Sequence, residues 1–236
     1  MFSVRKSNQR GSGEHGWLHS KHSFSFANYR DPKFMGFRSL RVINEDLIDG
    51  GSGFGAHPHD NMEIISYVAS GALEHKDSMG NSSVIQPDEV QRMSAGTGIV
   101  HSEYNKMPEK QVHLFQIWIE PSSHGGAPTY AQKSFAKPLA EQDKVLVVSE
   151  LGRDGSLAIK QDADLFISRL SEGKAISHTL RPGRALWLQV VRGSLAVKVG
   201  AETIQLESGD GLAVEKEAGI DVKASKAAEL LMFDLK

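Results

Sequence analysis

The sequence predicts an all-β protein made of two stacked antiparallel β-barrels with few short helices. Three observations carry this prediction. Apolar runs are of strand length and close on turn residues, amphipathic helical patterns are scarce, and one unit recurs 122 residues downstream. The chain has 236 residues, 39% of them hydrophobic, so it is long enough for one large domain or two small ones. Its 23 glycines and 8 prolines are spread between the apolar runs, as the many turns of a β protein require.

The predicted strands come in two series. The first holds Phe37 to Ile43, Glu63 to Ala69, Ser83 to Ile85, Val90 to Met93 and Val112 to Ile119. The second holds Val145 to Val148, Leu165 to Leu170, Ala185 to Val191, Leu195 to Val199, Gly211 to Val214 and Leu230 to Phe233. A turn-rich connector, Pro121 to Pro128, lies between them, and Ser134 to Asp143 has room for one short helix. Gly71-Ala72-Leu73 reads like Gly193-Ser194-Leu195, and the acidic turn at Asp88 reads like that at Asp210, both at an offset of 122. Internal duplication of an all-β unit gives two lobes, placed here at residues 1–125 and 126–236.

Bulk properties exclude several classes. The net charge is −2, with bases and acids interspersed, so the chain lacks the basic signature of a nucleic-acid binder. With no cysteine, disulfides and thiolate metal sites are excluded, and a metal must be held by histidine and carboxylate. The first residues lack the apolar stretch of a signal peptide, and no segment approaches the roughly 20 apolar residues of a membrane span. A cytoplasmic protein without membrane contact is the expectation.

Two dyads carry chemistry: His57-Pro58-His59 and His101-Ser102-Glu103. On a strand, residues i and i+2 share a face about 6.6 Å apart. Two such dyads on neighbouring or facing strands can converge on one ion, and three imidazoles with one carboxylate leave coordination positions open for catalysis. Glu63 competes with Glu103 for the fourth position. On an unbroken strand it lies about 13 Å from His59, whereas Glu103 is one pleat from His101. Glu63 is therefore placed second, as an outer partner that fixes a histidine tautomer. At the 122-residue offset the four positions become Thr179, Arg181, Lys223 and Ser225, none of them a histidine or carboxylate, so no equivalent site is expected in the second lobe.

The other histidines have less specific readings. His15, His19 and His22 lie in a polar stretch, His75 sits between Glu74 and Lys76 as a solvated residue, and His113 either faces a cavity or is a satisfied core histidine. Phe24, Phe26, Phe115 and Trp118 form either an apolar mouth for a flat aromatic ligand or simply core.

Gly51, His57, His59 and Glu63, then Gly98, His101 and Asn105, resemble the two motifs of the cupins. With the early segment His19 to Asn28 and the run Ser94 to Glu103, the chain resembles the pirin family, closely over residues 1–125 and more loosely beyond. Two positions depart from the general motifs: Gly96 replaces a proline, and the Glu63-to-Gly71 gap is one residue longer. The resemblance implies a bicupin whose first lobe binds one divalent metal through His57, His59, His101 and Glu103. It further implies a metal-dependent dioxygenase that cleaves a flavonol such as quercetin with O2 to a depside and carbon monoxide, with Glu103 as the base. The metal is one of Fe, Zn, Mn, Co, Ni or Cu, a choice an N3O donor set leaves open. The expected partners are a small aromatic substrate and O2. Because some pirins act as nuclear binding proteins, a non-catalytic regulator with a protein partner is the alternative.

Overall fold

The computed structural model describes residues 1–236. Pairing is antiparallel throughout, apart from a short parallel contact between Lys144–Ser149 and Leu157–Ala158. The predicted strands are present, with two differences: the first begins at Leu40 rather than Phe37, because Arg38 takes a φ of 54° that breaks the extended run, and Ala185 to Val191 and Leu195 to Val199 run on as one strand, Ala185–Val199. The single α-helix is Ala136–Glu141, inside the predicted window. No helix is long and apolar enough to cross a membrane.

Two sheets build the first lobe. A seven-stranded sheet runs in the order Thr129–Ser134, Glu89–Ser94, Glu63–Ser70, Val112–Ile119, Leu40–Ile48, Leu18–His22, Gly11–Glu14. A four-stranded sheet runs Gly53–His59, Ile99–Tyr104, Leu73–Asp77, Ser82–Ile85. The second lobe is one nine-stranded sheet curled on itself, dominated by the long strands Ala185–Val199 and Gly219–Leu235. The architecture is that of two cupin-like lobes.

Two strands cross the expected division at residue 125. Phe2–Arg5 pairs with Gly211–Glu215 in the second lobe, and Thr129–Ser134 pairs with Glu89–Ser94 in the first. Each lobe thus completes its sheet with a strand from the other side of that division, which no local pattern specifies. The duplicated unit is visible in the backbone. Gly71 and Gly193 both have φ of 87°, and a Cβ at either would lie within 2.8 Å of neighbouring backbone, so only glycine fits.

Strand alternation separates two environments. Along Glu63–Ser70, Ile65, Tyr67 and Ala69 face the second lobe; along Val112–Ile119, Phe115, Ile117 and Ile119 do the same. They meet Val147, Ile167, Trp187, Leu231 and Phe233 in the largest apolar cluster, so the lobes are joined by a shared core. An ionic cluster built on the buried Tyr67 and Glu229 joins the same interface. Arg169 bonds Tyr67 Oη and Glu229 at 3.2 Å each and also pairs with Asp88, while Arg192 pairs with Glu229. The alternate residues of the two strands point into the first barrel: Ile64, Ser66 and Val68, and Leu114, Gln116 and Trp118. The apolar members close its two ends, and the polar ones lie between.

Candidate metal centre

The two dyads occupy adjacent antiparallel strands. His101 lies directly opposite His57, and Ile99 opposite His59, so all three imidazoles project from one face of the four-stranded sheet. Glu103 shares this face. A bulge between His101 and Glu103 sets Glu103 opposite Phe54. One ligating nitrogen from each of His57, His59 and His101 falls within 4.8 Å of the others. The ring centroids are 4.4 Å apart for His57 and His101 and 4.9 Å for the other two pairs.

Glu103 is not part of that triple. Its carboxylate falls within 4.8 Å of His75 and His101 instead. Gln116 Nε2 donates to Glu103 Oε2 at 2.8 Å, and Ser66 Oγ donates to Oε1 at 3.3 Å. Each oxygen thus takes one hydrogen bond, and the remaining lone pairs stay available.

The donor chemistry fits a divalent cation. Burial first, and then the neighbouring imidazoles, push His59 down to about 4 and His101 down to about 3, so both rings are neutral donors near pH 7. His57 Nδ1 donates to the Gly55 carbonyl at 2.8 Å, which leaves its Nε2 free to ligate. His101 Nε2 is buried and has no hydrogen-bond partner, an arrangement that a metal bond satisfies.

A cavity of about 600 Å³ opens beside the triple, lined among others by Trp17, Phe26, Phe54, His57, His59 and Trp118. Trp118 packs edge-on against His59 at 4.9 Å, and Phe26 packs edge-on against Trp118 at 5.5 Å. The opposite wall is polar. Ser20 and Asp46 are cross-strand partners, as are His22 and Asn44, and all four line the cavity. Ser20 Oγ donates to Asp46, and His22 Nδ1 is 2.8 Å from Asn44 Oδ1. Burial raises the Asp46 carboxyl to about 7, although the Ser20 bond opposes the shift.

Several sequence expectations change here. Glu63 is not an outer partner of a histidine. It shares the face of Ile65 and Tyr67, away from the barrel interior, and accepts from Ser94 Oγ at 2.7 Å. His15 and His22, in the polar stretch, line the cavity, because the hairpin of Gly11–Glu14 and Leu18–His22 extends the large sheet into a cavity wall. His75 is not solvated but fully buried. Of the four aromatics, Phe26 and Trp118 line the cavity, while Phe24 and Phe115 belong to the core between the lobes. His113 is a satisfied histidine, 2.9 Å from Glu45 Oε1. Thr179, Arg181, Lys223 and Ser225 are all exposed.

Two stacked cupin lobes, the first with a histidine cluster beside a cavity, define a bicupin. The model of the pirin family matches residues 3–119, and that of the quercetinase C-terminal cupin domain matches residues 146–235. Quercetin 2,3-dioxygenase of Escherichia coli K12 is 47% identical over 235 residues, spanning 100% of this chain and 99% of that protein. A pirin-like protein of Caulobacter vibrioides is 40% identical over 235 residues, spanning 99% of each. The crystal structure of the bacterial pirin YhhW from E. coli in complex with nickel(II) superposes with a TM-score of 0.93 at 47% identity, covering 100% of this chain and 99% of that one. The chain belongs to the pirin family.

Proposed function

We propose that this protein is a metal-dependent dioxygenase that cleaves a flavonol such as quercetin with O2, holding one divalent metal on His57, His59, His101 and Glu103. The observation that carries the reading is the convergence of three imidazoles beside an aromatic-walled cavity large enough for a three-ring ligand. The nickel(II) complex of the bacterial pirin YhhW and the E. coli relative named quercetin 2,3-dioxygenase support it.

Held by His57, His59, His101 and Glu103, the metal would supply Lewis acidity that lowers the pKa of a ligated hydroxyl. The chain's own residues do the rest. Trp118, Phe26, Phe54 and Trp17 sandwich the flat rings and exclude water. Glu103 accepts the proton of the flavonol 3-hydroxyl, with Gln116 and Ser66 holding its carboxylate in place. Ser20, Asn44 and Asp46 offer hydrogen bonds to the remaining phenolic hydroxyls across the cavity. The deprotonated ring reacts with O2. Both oxygen atoms enter the depside, and the excised ring carbon leaves as carbon monoxide.

The test is to incubate nickel-loaded protein with quercetin under air and under nitrogen, following the flavonol absorption band and carbon monoxide release. Loss of the band with gas release under air alone is expected. No turnover with any first-row divalent metal would replace this reading with that of a metal-binding regulator.

A further inference from the structure

His101 has a second neighbour that the metal triple does not use. His75 and Asp77 share one face of Leu73–Asp77, the strand that flanks Ile99–Tyr104 on the side away from His57. Both side chains are 0% exposed, and neither lines the cavity. His75 Nε2 is 3.2 Å from Asp77 Oδ2, and His75 Nδ1 is 3.4 Å from His101 Nδ1. Asp77 is itself fixed. The backbone N–H groups of Met79 and Asn81 donate to its Oδ1 at 2.9 and 3.0 Å, and Asn81 Nδ2 donates to Oδ2 at 2.8 Å. The His75 ring is held flat against Tyr130, with centroids 5.0 Å apart and planes at 29°.

Proton positions along this chain follow from donor capacity. An ionised carboxylate only accepts, so the hydrogen between Asp77 and His75 sits on His75 Nε2. With that hydrogen on Nε2, His75 Nδ1 faces His101 Nδ1 as the acceptor, and the hydrogen between the two rings sits on His101 Nδ1. A neutral His101 is left with its lone pair on Nε2, the buried atom that has no partner in the protein. We infer that Asp77 and His75 form a fixed relay that holds His101 in its Nδ1–H tautomer and aims Nε2 at the metal. The inference rests on His101 being a ligand, as proposed above. His57 is oriented by a neutral backbone carbonyl, whereas His101 is backed through a second imidazole by a carboxylate. His101 is therefore the more strongly donating ligand, and His75 and Asp77 are positioning residues.

The direct test reads tautomers by 15N NMR of the zinc-loaded protein, alongside nickel affinity by competition with a chelator. A proton on His75 Nε2 and on His101 Nδ1 is expected. His75→Phe preserves the stacked ring and Asp77→Asn preserves the shape, yet each should weaken nickel binding about 10–100-fold. Thermal unfolding of the metal-free variants checks that they fold. A proton on His75 Nδ1, nickel ligated by His75 itself, or wild-type affinity in a folded His75→Phe overturns the relay. His101→Ala separates the two levels. If it binds nickel normally, the metal site itself is wrong; if it loses nickel while His75→Phe keeps it, only the relay fails.

Discussion

The two lobes share an architecture and differ in what fills it. In the second, 17 buried apolar residues form a single continuous cluster inside the curled sheet. In the first, clusters of 7 and 4 residues close the two ends, and the space between holds polar side chains. The 122-residue offset makes the contrast specific: Ser66, His75 and Asp77 correspond to Leu188, Val197 and Val199, all buried in the apolar cluster. The barrel does not need polar residues at these positions to form. Where they occur they are hydrogen-bonded into a site, at the cost of burying groups that water would otherwise solvate.

The largest expected effect separates the ligand faces. His101→Ala should lower nickel affinity by more than about 100-fold, beyond the loss typical of an outer partner, and abolish flavonol turnover. Lys223→Ala, at the position that the 122-residue offset gives in the second lobe, should change neither. Isothermal titration and the flavonol assay check both, and an equal loss in the two variants would break the contrast.

Filling is tested by importing one lobe's residue into the other. Leu188→Ser, which gives the second lobe the residue type of Ser66, should cost about 3–5 kcal/mol in urea unfolding, through a cavity and an unpaired hydroxyl. Turnover per folded molecule should hold.

A pH series sharpens the comparison, because the second lobe's buried charges are structural. Asp234 accepts from His178 Nε2 at 2.8 Å and pairs with Arg184. Burial alone would raise its carboxyl, but these two partners outweigh burial and hold it below the ordinary 3.8. The ionised form's contribution is therefore complete above the unfolded value and lost as pH falls through the folded one. Asp234→Asn should cost about 2–4 kcal/mol at pH 7, with the gap to the parent closing below about pH 4. A gap independent of pH would contradict the assignment.

The smallest effect concerns Ser66→Ala, which removes one donor from Glu103. Turnover should fall about 3–10-fold with stability changed by no more than about 0.5–1.5 kcal/mol, as for the loss of one ordinary hydrogen bond. Steady-state kinetics and thermal unfolding measure the two separately.

The convergence of His57, His59 and His101 was legible because two dyads obey a period of two and sit beside glycine turns, signals internal to short segments. His75 and Asp77 obey the same i, i+2 rule, but Glu74 and Lys76 between and beside them made the segment read as solvated; the alternating face was the signal to follow. Glu63 could have been set aside on parity, since it shares the face of Ile65 and Tyr67 rather than of Ser66. The polar wall was not legible. Ser20, His22, Asn44 and Asp46 meet through the register between Leu18–His22 and Leu40–Ile48, and that pairing is set by tertiary packing. The exchanged strands Phe2–Arg5 and Thr129–Ser134 are short and join partners far along the chain, so local pattern carries no trace of their destination.

The most direct measurement is anomalous diffraction at the nickel edge from crystals grown with nickel. One peak is expected, in the first lobe, within bonding distance of Nε2 of His57 and His101 and a ring nitrogen of His59, with the interior of the second lobe empty. A peak lodged in the second lobe, or one that leaves His101 Nε2 unligated, would contradict the account.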